Sequence, residues 1–361
     1  MNHNWTYKKL TDICDIQYGY PFDSSCFSTI PEDGMPLIRI RDVMVGCSNT
    51  FYKGDYPKEY TIHKGDYLIG MDGEFNIAPW KSGDALLNQR VCKISSKSNE
   101  VSIGYLYRFL TKELKKIEDE TPFVTVKHLS AKRLNQVLLP VPSIETQSRI
   151  VAELDLLQSI IDKQKAQLKE YDNLAQSIFY DMFGDPVDND KGWEVKKLGE
   201  ICLLKVGKAI KASELSDNNA PFLYPCYGGN GIRGYINKYS HTESYPIVGR
   251  QGALCGNVNY AEAPFYATEH AVVVKPIKAI DTKWLFFQLK FMRLNQYAHG
   301  VAQPGLAVQD LEPLDCVLPP LSLQQTFAAK IESIEKQKAA ISKSIAETEK
   351  LFEYTMDKYF G

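Results

Sequence analysis

The stretch "WTYKKLTDIC" at residues 5–14 returns as "WEVKKLGEIC" at residues 193–202, about half the chain later. Tyr18-Gly19 and Val206-Gly207 keep the same register after these two starts. The register also holds further along, where "LPVPSIETQSRIVAELD" at residues 139–155 corresponds to "CVLPPLSLQQTFAAKIE" at residues 316–332. The chain is therefore interpreted as two copies of one unit, and this duplication decides the fold.

Each copy has a long first part and a shorter second part of different character. The first part contains short apolar runs such as "GDYLIG" and "AVVVKP" between Gly and Pro residues, which predicts short strands and turns. One helical stretch interrupts each set of strands, at "IGYLYRFLTKELKKI" and "TKWLFFQLKFMRL". The prediction is an α+β protein with two tandem α/β domains, at residues 1–141 and 185–318, each followed by a helical segment, at residues 142–184 and 319–361.

The two helical segments carry apolar residues at spacings of three and four, which is the pattern of an amphipathic helix. A helix of about 40 residues is roughly 60 Å long and cannot bury such a stripe alone. We therefore expect the two helices to pack antiparallel, as a coiled-coil spacer with pseudo-twofold symmetry. The predicted seam residues are Ile150, Leu154, Leu157, Ile161 and Leu168 in the first helix and Phe327, Ile331, Ile334, Ile341 and Ile345 in the second.

The bulk composition is that of a globular protein, with 44% hydrophobic and 24% charged residues among 361. No leader-like or membrane-spanning run is apparent, so we expect a cytoplasmic protein without a membrane partner. The eight cysteines are scattered without a CxxC pair, which favours reduced, buried thiols over disulfides or a metal site. The net charge of -2 is unfavourable for a free-standing DNA-binding protein, so any role on DNA requires help from a partner.

The two copies differ most in their middles, "LIRIRDVMVGCSNTFYKGDYPKEY" against "FLYPCYGGNGIRGYINKYSHTESY", while their ends and helices keep register. Two similar domains held a fixed distance apart by the paired helices suit duplex DNA, whose half-sites repeat about every 34 Å. We expect the helices to bind something common and the middles to bind something different.

This layout resembles the specificity (S) subunits of type I restriction-modification systems. The resemblance rests on the two starts, on "VAQPGLAVQDLEPLDCVLPPLSLQQ" and its counterpart "FVTVKHLSAKRLNQVLLPVPSIETQ", and on the helix ends "MFGDP" and "YFG". It implies two target-recognition domains separated by two spacers, no catalytic activity, and binding to double-stranded DNA. It also implies two modification subunits that use S-adenosylmethionine, and restriction subunits that translocate and cleave DNA with ATP. This chain itself is then expected to hold no cofactor.

"GNGIRG" at residues 229–234 satisfies the G-x-G-x-x-G pattern of a dinucleotide loop. That motif needs a following helix, whereas "YINKYSHTESYPIV" predicts strand and turn. We interpret the segment as a glycine loop in which Asn230, Arg233 and the flanking Tyr227 are candidate DNA contacts, because Arg and Asn read guanine and adenine in the major groove. The alternative is a hairpin turn with one solvated arginine.

"VGRQGALCGN" at residues 248–257 aligns with "IGMDGEFNIA" at residues 69–78, which places Arg250 and Gln251 opposite Met71 and Asp72. Both segments predict a turn after an apolar strand. We interpret Arg250 and Gln251 as candidate DNA contacts, and their replacement by Met71 and Asp72 as a change of base preference, because Asp can only accept a hydrogen bond. The alternative is a turn whose polar side chains only face water. The remaining DNA-binding candidates are Gln303 before Pro304-Gly305 in the second copy, and Arg39, Arg41, Gln89, Arg90 and Lys127 in the first. Arg39 and Arg41 alternate with apolar residues, which predicts that at least one lies on the exposed face of a strand.

Motifs for catalysis are scarce. The sequence lacks G-x-S-x-G, H-E-x-x-H and the DPPY- or NPPY-like motif of an adenine methyltransferase, so we predict a protein that is not an enzyme. An enzyme using Cys226 and His270 is one alternative, and a scaffold whose helices bridge partners without reading DNA is another. Polar residues in divergent Gly-rich loops favour DNA recognition over the scaffold.

Overall fold

A computed structural model describes residues 5–122, 126–300 and 304–361. The chain divides into two compact units. Unit 1 is formed by the described residues up to Gln164 together with Ser344–Gly361, and unit 2 is Lys165–Lys343. Each long helix of the chain is shared between the two units.

The globular part of unit 1 combines short strands with α-helices of different lengths. Its helices are α1 (Leu10–Ile13), α2 (Ile40–Val45), α3 (Ile103–Glu120) and α4 (Ala131–Asn135). Its strands are β1 (Thr6–Lys9), β2 (Cys14–Tyr18), β3 (Phe27–Ser28), β4 (Met35–Ile38), β5 (Phe51–Tyr52), β6 (Thr61–Ile62), β7 (Tyr67–Gly70), β8 (Ile77–Pro79), β9 (Ala85–Leu87), β10 (Val91–Ser96) and β11 (Leu138–Val141). The helix α5 (Ile144–Phe183) follows and passes into unit 2.

Unit 2 has the same kinds of element in a similar order. Its helices are α6 (Leu198–Ile201), α7 (Thr282–Phe291) and α8 (Val308–Leu311). Its strands are β12 (Val195–Lys197), β13 (Cys202–Val206), β14 (Tyr224–Gly228), β15 (Gly231–Ile236), β16 (Tyr245–Gly249), β17 (Val258–Ala261), β18 (Tyr266–Ala267), β19 (Ala271–Pro276) and β20 (Asp315–Val317). The helix α9 (Leu321–Phe360) follows and ends in unit 1.

The strand orders confirm the internal duplication. Unit 1 contains the antiparallel sheet β2-β10-β7-β8 and the pair β1-β11, and unit 2 contains β13-β19-β16-β17 and the pair β12-β20. The first strand of each sheet begins at the cysteine that ends the repeated "KKL..IC" segment, Cys14 in unit 1 and Cys202 in unit 2. The α+β class is therefore confirmed, with one sheet topology used twice.

The middles of the two copies differ in structure as well as in sequence. Unit 1 has a mixed sheet of order β3-β5-β4-β9-β6, whereas unit 2 has a sheet of order β15-β14-β18. The two sheets share a parallel pair, β4 with β9 and β14 with β18. After the first strand of that pair, the chain forms helix α2 in unit 1, whereas in unit 2 it turns back at once into β15. The middles of the two units are thus folded differently around a similar parallel pair.

The prediction for Arg39 and Arg41 was wrong about the strand. Strand β4 ends at Ile38, and α2 begins at Ile40 because the Asp42 carboxylate accepts a hydrogen bond from the Arg39 backbone N–H at 2.9 Å. Gly46 ends this helix with φ +83°, a conformation that glycine adopts easily. Arg41 therefore lies on a short helix rather than on a strand face.

Helices α5 and α9 run antiparallel within each unit. In unit 1, Tyr359 donates to Glu153 at 2.7 Å and Gln164 donates to Ser344 at 2.7 Å, so ascending positions in α5 meet descending positions in α9. In unit 2, the Tyr171 hydroxyl donates to Gln337, and further along α5 the ring of Phe179 packs on that of Phe327, earlier in α9, with centroids 5.6 Å apart. Gly184, with φ +76°, ends α5 as predicted.

The apolar stripe of the long helices also enters the cores of the globular parts. Of the predicted seam residues, Ile150, Leu154, Ile161, Phe327, Ile331, Ile334 and Ile345 are buried, and Leu157, Leu168 and Ile341 are half-buried. In unit 1, Ile150 and Leu154 belong to the cluster that includes the buried face of α3. The helices are therefore structural parts of each unit as well as connectors. None of the helices in the described ranges is long and apolar enough to cross a membrane.

Two buried glutamines fasten the start of each long helix to its own unit. Gln147 accepts from the Ser102 N–H at 2.9 Å and donates to the Pro142 carbonyl at 3.0 Å. Gln324 makes the equivalent bonds, from Asp281 at 2.9 Å and to Pro319 at 2.8 Å. Ser102 and Asp281 cap helices α3 and α7, so each glutamine joins two helix starts.

Candidate nucleic-acid interface

A groove of about 500 Å³ lies on the surface of unit 2, where two predicted turns meet. One wall is the β14-β15 turn with Asn230 and Arg233, and the other is the turn after β16 with Gln251. His270, just before β19, completes the polar lining. The structure thus brings together three residues that the sequence placed in two separate candidate loops.

Glycines allow these two turns to touch. A Cβ on Gly249 would lie 2.2 Å from the backbone oxygen of Gly229, so a side chain cannot be accommodated there. Gly231 has φ +98° and pairs with Gly228 across the hairpin. The segment "GNGIRG" is therefore a hairpin turn rather than a cofactor loop, because a strand and not a helix follows it.

Hydrogen bonds hold the polar groups of the groove. Gln251 Oε1 and His270 Nδ1 are 2.9 Å apart, and His270 Nε2 lies 3.2 Å from a carboxylate oxygen of Glu269. Asn257 donates its amide N–H to Asn230 Oδ1 at 2.7 Å. Arg233 is exposed at the rim. The described residues that line the groove include the arginine Arg233, the side-chain amides of Asn230 and Gln251 and the imidazole of His270, which suits hydrogen bonding to base edges and phosphates.

Two of the predicted contacts lie elsewhere in unit 2. Tyr227 is 7% exposed and packs edge-on against Phe265, so its ring is part of the core and the prediction of a DNA contact for it is not supported. The same burial raises the pKa of its hydroxyl. Arg250 is half-buried and does not line the groove, since its Nη1 reaches the Glu269 carbonyl at 3.5 Å. Its Nε is buried without a hydrogen-bond partner among the described residues.

Backbone bonds fix the turn after β16 between two other segments. The N–H of Arg250 donates to the His270 carbonyl at 3.1 Å, and the Arg250 carbonyl accepts from Leu306 at 2.9 Å. The N–H of Gly252 donates to the Pro304 carbonyl at 2.9 Å. We call residues 250–252, 269–270 and 304–306 the unit 2 platform. Gln251 belongs to residues 250–252, the segment that lies between the other two.

Unit 1 builds the same platform with different side chains. The N–H of Met71 donates to the Arg90 carbonyl at 2.9 Å, and the Met71 carbonyl accepts from Leu129 at 2.7 Å. The N–H of Gly73 donates to the Lys127 carbonyl at 2.9 Å. Residues 71–73, 89–90 and 127–129 are therefore the unit 1 platform. Since the bonds correspond one to one, Arg90 takes the place of His270 and Asp72 takes the place of Gln251.

The unit 1 platform carries a cluster of three charged or ionisable side chains. Asp72 Oδ1 lies 2.5 Å from His128 Nδ1, and Asp72 Oδ2 lies 3.5 Å from Arg90 Nε. The Asp72 side chain is 22% exposed and that of Arg90 is 52% exposed. The carboxylate is therefore largely covered while the guanidinium reaches solvent.

The remaining predicted residues are dispersed. Gln89 is exposed in the turn beside Arg90, and Lys127 directs its ammonium to the Glu118 carbonyl at 2.6 Å. Arg39 and Arg41 are exposed near α2, where Arg41 contacts Thr50 at 3.5 Å and not the platform cluster. Gln303 lies outside the described residues.

The sequence analysis did not include His128 or His270 among the DNA-binding candidates, and it named His270 only in the enzyme alternative. His128 and His270 come from segments far from their partners, with separations of 56 residues from Asp72 and 19 residues from Gln251. The alignment of the two Gly-bracketed turns gave a signal for Asp72 and Gln251, but isolated histidines gave none.

The chemistry of the thiols disfavours nucleophilic catalysis. All eight cysteines are free. Burial raises the pKa of Cys226 to about 11 and that of Cys14, Cys92 and Cys202 to about 12, so these thiols are protonated near neutral pH. Within residues 5–122, 126–300 and 304–361, no group of His, Cys, Asp and Glu could hold a metal ion.

Solved structures of low sequence identity share the fold. The type I restriction-modification system S subunit from M. genitalium superposes with a TM-score of 0.61 at 15% identity, covering 100% of this chain and 97% of that chain. A chain from work on "complex assembly and conformational transition of the type I R-M system" gives a TM-score of 0.57 at 18% identity, covering 99% and 97%. At these identities the likeness establishes the fold alone.

Sequence comparison gives the family. The EcoprrI specificity subunit of Escherichia coli is 38% identical over 201 residues, which are 54% of this chain and 50% of that protein. The EcoBI specificity subunit of Escherichia coli is 40% identical over 170 residues, 47% of this chain and 36% of that protein. The chain thus matches half or less of the length of these two relatives. A family model described as "Type I restriction modification DNA specificity domain" matches residues 2–170 and 190–350, and the chain therefore belongs to this family of type I restriction-modification specificity proteins.

Proposed function

We propose that this protein is the DNA sequence-specificity subunit of a type I restriction-modification complex. Each unit reads one part of a bipartite DNA target, and the chain directs adenine methylation there without catalysing it. The observation that carries the proposal is the pair of platforms. They share one backbone arrangement but present Gln251 and His270 in unit 2 and Asp72, Arg90 and His128 in unit 1.

The shared backbone and different side chains suit two readers of different half-sites. A scaffold that only bridged partners would have no use for amide, imidazole and guanidinium groups gathered at a glycine-walled groove. The groove in unit 2 has a volume of about 500 Å³, which leaves room for base edges. Gly229 and Gly249 let the two turns that form its walls touch. Base readout in DNA uses these same hydrogen-bonding groups.

The net charge of the chain, and a sequence without an adenine methyltransferase motif, both call for partner proteins. With a net charge of -2, the subunit alone is poorly suited to displace counterions from DNA. Two modification subunits would supply much of the positive surface, together with S-adenosylmethionine and the pocket for a flipped adenine. Restriction subunits that use ATP would complete a cleaving complex.

The test is to co-express the chain with its cognate modification subunit and to map methylated adenines across the host genome. We expect a split motif with two defined parts and a fixed gap. Association of the two proteins without any methylation would favour the scaffold instead. Methylation at a continuous motif would contradict a two-headed reader.

A further inference from the structure

We infer that Arg90 is the guanine-reading residue of unit 1 and that Asp72 and His128 are its positioning residues. The inference rests on the proposed function, since it names the base that one head selects. Among the candidates of this unit (Arg39, Arg41, Gln89, Arg90 and Lys127), it selects Arg90. Three observations carry it: the backbone at Arg90, the contacts of its guanidinium and its place on the platform.

The backbone at Arg90 has a conformation that arginine rarely adopts. Residues 88–91 form a turn in which the Val91 N–H donates to the Asn88 carbonyl at 3.2 Å. Arg90 is the third residue of this turn and has φ +76°. A positive φ at the third position is typical of glycine or asparagine. A strained arginine whose side chain is half exposed suggests that the guanidinium itself is needed here.

The contacts orient the guanidinium without using all of its donors. Asp72 Oδ2 lies 3.5 Å from Nε, on one side of the planar group. His128 Nδ1 lies 2.5 Å from the other oxygen of Asp72. Because a carboxylate only accepts, the hydrogen of this pair is on Nδ1, and the N–H donates a hydrogen bond to Asp72. This nitrogen cannot then accept from Arg90 Nη1, although the two atoms are 3.3 Å apart. One N–H of Nη1 is directed at His128, and among the described residues the other N–H of Nη1 and those of Nη2 are left for a ligand.

Two parallel N–H donors match one base edge in the major groove. Guanine presents N7 and O6, which are both acceptors, whereas adenine presents the N6 amino donor in place of O6. Because the carboxylate of Asp72 holds the Nε side, the fork is oriented before DNA arrives. An Arg–Asp pair that was only a surface ion pair would contribute little to stability and nothing to base choice.

The position on the platform gives independent support. Arg90 corresponds to His270, which lines the groove of unit 2 beside Gln251. The two residues occupy the same point of the common backbone, because the Arg90 carbonyl accepts from the Met71 N–H and the His270 carbonyl accepts from the Arg250 N–H. The base-reading position thus follows from the duplication, while the base that is read follows from the side chain.

The experiment compares methylation maps of the complex with wild-type chain and with variants. Arg90→Gly relieves the backbone strain and removes the fork, so it separates folding from recognition. Arg90→Lys keeps the charge without the paired donors, and Asp72→Asn keeps the shape while weakening the orientation. Arg133→Ala removes an exposed arginine of the same unit that pairs with Glu120, and it serves as the control.

We expect Arg90→Gly to retain or raise the melting temperature while discrimination at a single G·C position of one half-site falls roughly 5- to 150-fold. Arg90→Lys should relax the same position, and Asp72→Asn should relax it less. Arg133→Ala should leave the motif as in wild type. The other half-site should be unchanged in every variant.

The outcomes separate this inference from the proposed function. A wild-type complex that yields no split motif would overturn the function, and the inference with it. A split motif that Arg90→Gly leaves unchanged would overturn only the inference. Relaxation at an A·T position would also overturn it, since a paired-donor fork does not select adenine. Equal loss at all positions of both half-sites would assign Arg90 to general affinity instead.

Discussion

His241 in unit 2 stacks its imidazole on the ring of Phe265, with centroids 4.7 Å apart and an angle of 9° between the planes. Burial lowers the pKa of His241 below its ordinary value of 6.5, and the positive charge of Lys275 lowers it further. The folded protein therefore favours the neutral imidazole. Below about pH 6.5 the unfolded chain binds a proton that the folded chain resists, so stability falls as the pH drops through this range.

We predict that His241→Phe removes this part of the pH dependence. The variant keeps a stacked aromatic ring but has no group to protonate, so its stability should fall less than that of wild type between pH 7 and pH 5. Thermal unfolding at several pH values measures the difference, and both proteins share every other titrating group. Parallel curves for the two proteins would show that His241 does not contribute.

Helix α5 is stabilised by burial of the apolar side chains on one of its faces. Leu154 is 0% exposed in the core of unit 1, whereas Leu156, two residues later in the same helix, is 62% exposed. A period of 3.6 residues explains why neighbours so close in sequence have such different surroundings. The same face carries Ile150, which lies one turn earlier.

The two leucines give a matched test of the buried stripe. Leu154→Asp should cost at least about 3 kcal/mol of stability, because a buried side chain is lost and a carboxylate is placed in the core. Leu156→Asp introduces the same residue at an exposed position and should change stability by about 0.5 kcal/mol or less. Urea denaturation of both variants measures the contrast. Similar losses in the two would contradict the packing of α5 described above.

For the whole molecule, the proposed function together with the duplication predicts two DNA-reading units that act separately. The described contacts of Arg90 are to unit 1 residues, and those of Gln251 are to unit 2 residues. Without a shared partner, substitutions at the two positions should not couple. The two platforms are thus expected to determine different parts of the DNA target.

We predict that Gln251→Leu relaxes one half-site and that Arg90→Gly relaxes the other. In the double variant, the free energies of discrimination should add to within about 0.5 kcal/mol. Methylation frequencies over all sequence variants of the motif measure both terms in one experiment. A double variant that loses far more than the sum would indicate that the two heads cooperate in recognition.

Much of the architecture was predictable because it depends on residues that are close in sequence. The repeated starts, the spacing of Ile150 and Leu154 and the stop at Gly184 are local patterns, and each led to a structural prediction that the fold confirms. The helical stretches that became α3 and α7 were likewise visible from periodicity. The sequence by itself therefore determined the duplication, the α+β class and the two long helices.

Tertiary structure decided which polar residues meet. Arg39 and Arg41 looked like alternating strand residues, but Asp42 caps the Arg39 N–H and starts a helix. Tyr227 was a candidate DNA contact beside the glycine loop, but its ring packs in the core against Phe265. The start of α2 depends on a contact only three residues apart that the sequence analysis did not use, whereas the burial of Tyr227 depends on packing against Phe265 from a distant segment.

The platforms could not be predicted for a further reason. They join three segments that are adjacent only after β7 pairs with β10 in unit 1 and β16 pairs with β19 in unit 2. Asp72 meets His128 across 56 residues and Gln251 meets His270 across 19, and such contacts depend on strand register and loop closure rather than on propensity. The sequence alone determined that there are two similar heads, whereas the pairing of distant strands decided which side chains each head presents.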